Sequence, residues 1–357
     1  MVMAARHRKL WAGRLLFCLI LLSASLVASA QVVDSVAWRL DDDSLTINYN
    51  LSRKADIRVR VSIDGGHTYS DPLTTLQGDI GKDVSAGVGK TITCRNLIDI
   101  QGIEAYNIVF LVEEDDGSVI IWVDTVPIIM IPVEGGTFTM GVTRPGMAAH
   151  DLEQALPAHE VTLDDYYIGR YEVTQQLWIT VMGDNPSLFR SSDKLPVDQV
   201  SWADVQIFIA RLSQMTGYRF HLPTEAQWEY AARGGKHSRD NVYPGTTDSL
   251  GSYVWYCGNS GNVTHPVGLK LPNELGLYDM GGNVAEWCSD WVGAYTDQPQ
   301  TNPRGPRSGD NRILRGGSIN TPSWTCTVHD RGWYLPGYTY GCYGFRLALD
   351  DVQREID

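Results

Sequence analysis

Between Val32 and about Asp124 the apolar positions recur every second residue. Leu45, Ile47, Tyr49 and Leu51 alternate with polar neighbours, and Ile57, Val59, Val61 and Ile63 alternate with Arg58, Arg60 and Ser62. A strand turns successive side chains to opposite faces, so this pattern predicts strands with one buried and one solvated face. Asp64-Gly65-Gly66 and Asp116-Gly117 supply turn chemistry between the runs. Residues 31–126 therefore read as a small antiparallel β-sandwich with no catalytic constellation. The run Asp41, Asp42, Asp43 admits a cation site, but it reads more simply as a solvated turn before a strand.

The period changes after the apolar segment Val126-Pro127-Ile128-Ile129-Met130. Ser201 is placed to cap a helix on which Trp202, Val205, Ile209 and Leu212 share a face, with Asp204 three positions beyond the cap. Thr224 and Gln227 form a capping-box pattern, and Gly234-Gly235 stops the helix that follows. Thr174 is placed to cap a third helix running through Trp178. Beyond Gly235 the pattern predicts loops and short strands. So much irregular backbone must be held by something other than ladder hydrogen bonds, and disulfides or bound cations are the candidates.

Composition narrows the classes. The chain has 357 residues, a formal charge of −13 and 6 cysteines. Binding phosphates needs clustered Lys and Arg, and the one basic cluster, Arg6, Arg8, Lys9 and Arg14, lies at the extreme N-terminus, so no nucleic-acid partner is expected. That cluster precedes the apolar run Leu15–Leu22 and then Ala28-Ser29-Ala30, which reads as a secretory signal peptide over 1–30. The run is short for a membrane span of about 20 residues. Its removal takes away four basic residues and no acids, shifting the charge from −13 to −17. It also removes Cys18, leaving Cys94, Cys257, Cys288, Cys326 and Cys342 in a chain bound for an oxidising periplasm, cell surface or medium. No mature segment is apolar enough to cross a membrane.

Ordered motif blocks then identify a relationship. They are VEGGTFTMG (Val133 to Gly141), YEVTQQLW (Tyr171 to Trp178), LPVDQVSW (Leu195 to Trp202) and LPTEAQWEYAARGG (Leu222 to Gly235). NELGLYDMGGNVAEW (Asn273 to Trp287), LRGGS (Leu314 to Ser318) and GFRLA (Gly344 to Ala348) follow. With these blocks, residues 131–350 resemble the sulfatase-modifying-factor family, whose founding members are formylglycine-generating enzymes. The resemblance implies an α+β chain in which the N-terminal sandwich, itself similar to immunoglobulin or fibronectin modules, precedes a loop-rich, C-type-lectin-like domain around a groove. It does not fix the chemistry, because related domains serve as oxidases, iron-enzyme partners and binding or assembly modules.

In the catalytic branch of the family, two cysteines three and eight residues after the RGGS serine bind copper(I), and oxygen converts a substrate cysteine to formylglycine. Soft thiolates select monovalent copper. Here Ser318 matches, but the two ligand positions are Thr321 and Cys326. A threonine hydroxyl is a poor substitute for a thiolate, so copper is not expected. Ala285 stands where the catalytic branch carries tryptophan. The iron-dependent relatives need a helical histidine-bearing domain, whereas the segment before residue 131 is β and holds only His67 after the leader. His150, His159, His221, His237, His265 and His329 are dispersed without metal-ligand spacing.

The resemblance further implies a structural calcium ion held by the Asp279 and Glu286 carboxylates and the carbonyls of Gly282 and Val284. The competing reading has Glu286 capping loop amides and Asp279 facing water. Cys257, Cys288, Cys326 and Cys342 are disulfide candidates with three possible connectivities, of which one containing Cys288–Cys326 is preferred. The expectation is an exported binding or assembly module that takes a protein, peptide or glycan in a groove rimmed by Trp255, Tyr256, Trp324 and Trp333. The alternative is a copper-dependent formylglycine-generating oxidase acting through Cys326 and Ser318.

Overall fold

The computed structural model describes residues 33–41, 44–62, 73, 75–95, 109–142 and 152–350. The leader, most of the Asp41–Asp43 run, the Asp64-Gly65-Gly66 turn, His67 and His150 lie outside them. Two compact units divide at about residue 115.

The first unit contains two sheets. One orders the strands Val33–Asp41, Ser44–Leu51, Gly87–Arg95 and Gln77–Gly78, and the other Gly81–Val84, Ala55–Ser62 and Val109–Glu114. Strand Ser44–Leu51 follows the period-two expectation, with Leu45, Ile47, Tyr49 and Leu51 all buried. Strand Ala55–Ser62 departs from it: Arg58, Arg60 and Ser62 are buried as well as Ile57, Val59 and Val61. Alternation in sequence signalled a wet face, but this strand is covered on both sides.

The second unit begins earlier than expected. Val119–Val123 pairs with Val126–Val133, which continues to Tyr166–Gly169 and Ala348–Leu349 in a four-stranded sheet. The hairpin around residue 124 thus belongs to the second unit, which moves the boundary from 126–131 back to about 115. A three-stranded sheet orders Gly136–Met140, His159–Leu163 and Gln300–Thr301. A further four-stranded sheet orders Gly332–Tyr334, Arg312–Arg315, Ala285–Trp291 and Tyr343–Gly344.

The helices start and stop where their caps dictate. α1 (Gln175–Met182) begins at Thr174, whose hydroxyl accepts from the Leu177 N–H. α2 (Trp202–Thr216) has a reciprocal box in which Asp204 N–H donates to Ser201 Oγ and Ser201 N–H to Asp204 Oδ2. α3 (Glu225–Ala232) repeats the device with Thr224 and Gln227. Such caps contribute roughly 1 kcal/mol each. α2 buries Val205, Phe208, Ile209 and Leu212, and Trp178 stacks on Phe208 at 5.1 Å. Trp287 donates its indole N–H to the Val200 carbonyl and Trp202 donates to the Cys288 carbonyl, tying the start of α2 to strand Ala285–Trp291.

Candidate functional site

The chain from Gly235 onward is held by buried ion pairs rather than bridges. Arg315 donates to Glu229 and to the carbonyls of Asp330 and Val328. Arg331 forks onto both oxygens of Glu225, and Arg233 forks onto Glu229. Arg346 forks onto Glu286 at 2.6 Å and donates to the Gly169 and Tyr278 carbonyls. A planar guanidinium serves several carbonyls and a carboxylate at once, which suits a loop scaffold. Sequence reading passed over these arginines, although Arg315 and Arg346 stand inside the motif blocks LRGGS and GFRLA, flanked by apolar residues.

The disulfide expectation is corrected accordingly: Cys94, Cys257, Cys288, Cys326 and Cys342 are all thiols. Cys288 lies in strand Ala285–Trp291 within an apolar cluster that includes Trp228 and Ile313. Cys326 ends the 3-10 turn Ser323–Cys326.

The residues matching the oxidase motif lie together on one loop, but their polar groups point into the scaffold. Thr321 Oγ accepts from the Ser318 N–H at 2.8 Å and from the Thr325 hydroxyl at 2.7 Å, and donates to the Ser318 carbonyl. Ser318 Oγ donates to Asn320 Oδ1. Cys326 is fully buried, and burial pushes its thiol up to about 12, with the hydroxyls of Thr325 and Thr321 opposing. Gly317 has φ +66°, and a Cβ there would sit 2.8 Å from the Cys326 sulfur, so only glycine lets the loop close over it. A thiol held in its protonated form is a poor nucleophile at neutral pH.

The residues of the expected groove are partly dispersed. Trp255 and Cys257 adjoin the motif loops: Trp255 bridges to Gly282, and Cys257 N–H donates to the Thr321 carbonyl. Trp255 stacks on His265 at 3.7 Å with Lys270 over its ring, so it belongs largely to the scaffold. Trp324 is exposed on the turn before Cys326, whereas Trp333 faces Ile313 in the strand register. No ring contact joins Trp255, Tyr256, Trp324 and Trp333 among the described residues. The aromatic surface that does assemble was missed: Tyr334 and Tyr338 lie at 4.0 Å, and Tyr340 and Tyr343 at 5.3 Å. Tyr334, Leu335, Tyr338 and Tyr340 are exposed, and Tyr340 accepts from Asn320, beside Ser318. The spacing of tyrosines in WYLPGYTYGCYGF was the signal available.

The carboxylates form a second centre. Asp279 is buried, which excludes the reading in which it faces water. Its Oδ2 accepts from the Gly268 N–H at 2.7 Å, while Oδ1 is buried with no hydrogen-bond partner. Glu286 caps no loop amides; it is engaged by Arg346 and by the Trp228 indole N–H. Glu172, unmarked in the sequence reading, accepts from the Val284 N–H at 3.0 Å and from the Asn283 amide at 2.7 Å. Burial, then the charges of Asp279 and Glu286, raises the Glu172 carboxyl well above its ordinary range. Burial pushes Asp279 up to about 6 against the Gly268 hydrogen bond and Arg346. Three carboxylates thus share one guanidinium, and an orphaned oxygen lies among them. That donor set suits a hard divalent cation on Asp279 and neighbouring loop carbonyls. Among the described residues no three metal-ligating side chains converge, so backbone oxygens must complete such a site.

Comparison with known proteins fits this geometry. The family described as sulfatase-modifying factor enzyme 1-like domain matches residues 125–351. The chain is 33% identical over 260 residues to the chaperone protein LppX of Paenibacillus barcinonensis, covering 58% of this chain and 82% of that protein. It is 37% identical over 178 residues to a formylglycine-generating enzyme of Streptomyces coelicolor, covering 43% of this chain and 52% of that one. The solved structure of Treponema denticola variable protein 1 superposes with a TM-score of 0.59 at 34% identity, over 66% of this chain and 99% of its own. PvdO from Pseudomonas aeruginosa does so with a TM-score of 0.56 at 25% identity, over 65% and 98%. From residue 125 to residue 351 the chain belongs to the formylglycine-generating-enzyme-like family of sulfatase-modifying-factor domains.

Proposed function

We propose that this protein is an exported binding or assembly module built on the formylglycine-generating-enzyme fold, without oxidase chemistry. The observation that carries the reading is Thr321: its hydroxyl is engaged on all sides within its loop, where the resemblance calls for a second thiolate. The remaining thiol, Cys326, is buried and held protonated. Export rests on the leader pattern of residues 1–30, and among the described residues no helix is long and apolar enough to cross a membrane. The two N-terminal sheets are read as a sandwich that supports the C-terminal domain, whose loop-rich architecture is read as C-type-lectin-like.

The ligand-binding surface in this reading is the exposed tyrosine cluster Tyr334, Tyr338 and Tyr340. Tyrosine offers a large apolar face and a polar tip at small entropic cost, which suits a protein or peptide partner. The chaperone description of the Paenibacillus relative agrees with such a partner. Calcium would be a structural ion on Asp279 and the carbonyls of Gly282 and Val284, with Glu286 and Glu172 supplying charge. Bound there, it would neutralise buried carboxylates and fix the loop. Chelation is expected to lower the melting temperature; an unchanged melt would remove calcium from the account.

The test of function is mass spectrometry of a sulfatase-type cysteine peptide incubated with the purified protein, copper(I) and oxygen. The peptide is expected to emerge unchanged. Conversion of its thiol to an aldehyde would establish the copper-dependent oxidase reading instead.

A further inference from the structure

A cavity of ≈60 Å³ lies in the C-terminal unit between the end of strand Ala285–Trp291, the loop around Gly305, His159 and the first turn of α3. Three lone-pair acceptors line it. Asp290 is 4% exposed; its Oδ2 accepts from the Glu225 N–H and the Ser289 hydroxyl, while Oδ1 has no hydrogen-bond partner among the described residues. His159 is 5% exposed, and its Nδ1 lies 3.2 Å from the Pro157 carbonyl. A carbonyl can only accept, so Nδ1 carries the hydrogen, and in that tautomer Nε2 is an acceptor with no partner among the described residues. Tyr295 donates its O–H to Glu225 Oε1, which leaves its oxygen lone pairs free to accept.

No guanidinium answers them. Arg331, which also lines the cavity, spends Nε and Nη2 on Glu225 and Nη1 on the carbonyls of Gln154 and Gly293. Burial and the neighbouring Glu225 charge push Asp290 up to about 7, against its hydrogen bonds from Glu225 N–H and Ser289 and the more distant Arg331 charge. Met140, Trp291, Pro303 and Pro306 add apolar wall, and Gln300 completes the lining.

We infer that this cavity is a binding site for a primary ammonium group, taking its three N–H donors on Asp290 Oδ1, His159 Nε2 and Tyr295 Oη. The chemistry distinguishes an amine from an alkali ion: a nitrogen acceptor and apolar walls favour an organic cation, whereas a hard ion prefers an all-oxygen shell. The space admits an ammonium on a short alkyl stem, and a quaternary ammonium, which has no N–H, cannot donate to the three acceptors. The group can arrive as a free amine or as a lysine side chain of a peptide.

Thermal melts of the full chain test the site, with methylammonium, Nα-acetyl-lysine amide, tetramethylammonium and sodium chlorides at equal ionic strength. Methylammonium at about ten times its Kd is expected to raise the melting temperature by about 3 °C over sodium. Tetramethylammonium, with no N–H donor, should give no rise, and Asp290→Asn should abolish the methylammonium effect. A rise with the lysine amide as well assigns the site to peptides, and a rise with methylammonium alone assigns it to small amines. Equal shifts with sodium or tetramethylammonium, or a shift that persists in D290N, overturn the site. Should D290N not melt cooperatively, His159→Phe serves as the second variant, with the same loss expected.

Discussion

The loop carrying Thr321 and Cys326 and the loop carrying Asp279 and Glu286 are both buried and polar, yet only the first is complete. Around Thr321 the hydroxyl and amide donors have acceptors, and burial favours the protonated thiol of Cys326. Around Asp279 three acids share Arg346, one carboxylate oxygen has no partner, and two carboxyls are pushed toward their neutral forms. A satisfied polar loop is scaffold; an unsatisfied one invites a ligand. The difference supports the proposal that the site matching the oxidase motif serves as structure and that the acidic loop is the place to look for an ion.

The largest effect should come from cutting the guanidinium that these acids share. Arg346→Ala strands Glu286 and its neighbours in a dry interior, and urea denaturation should register a loss of about 3–5 kcal/mol. By contrast Cys326→Ala removes one buried sulfur, costing about 1 kcal/mol. Comparable losses from both would erase the distinction between the two loops.

The pH dependence sharpens it. Asp279 titrates near 3.8 when unfolded and about 6 when folded, so between those values the native state holds the extra proton. Stability of chelator-treated protein should therefore fall as pH rises from 4 to 6, by about 2–3 kcal/mol from this group. Calcium should flatten that slope, and Asp279→Asn should remove most of it. A flat chelated profile in the wild type would contradict the assignment.

Thiol reactivity gives a smaller readout. Cys257 is exposed, whereas burial raises Cys326, Cys342 and Cys288. Iodoacetamide at pH 8 should label Cys257 first in the native protein, by peptide mapping, with Cys326 labelled only after denaturation. The smallest stability effect is expected at the tyrosine surface, where Tyr338→Ala should stay within about 0.5 kcal/mol of wild type.

Much of the fold was legible because it is written locally. The caps at Thr174, Ser201 and Thr224 and the period-two run Leu45–Leu51 depend on neighbours in sequence, and they stand as expected. What failed depends on distant partners. Nothing near Arg58 and Arg60 announces that their strand is covered on both faces. Glu172 meets Val284 across 112 positions and Arg331 meets Glu225 across 106, so neither pairing has a local signature. The cysteines drew attention as staples because their chemistry is conspicuous, while arginines that do the stapling look like surface residues in composition alone.

The most direct test of the central claim is competition for copper(I) between the reduced protein and a colorimetric chelator. The wild type should leave the chelated copper untouched, and Thr321→Cys, which places a second sulfur on the Cys326 loop, should withdraw copper. One equivalent of copper(I) taken tightly by the wild-type protein and released on Cys326→Ala would contradict the account.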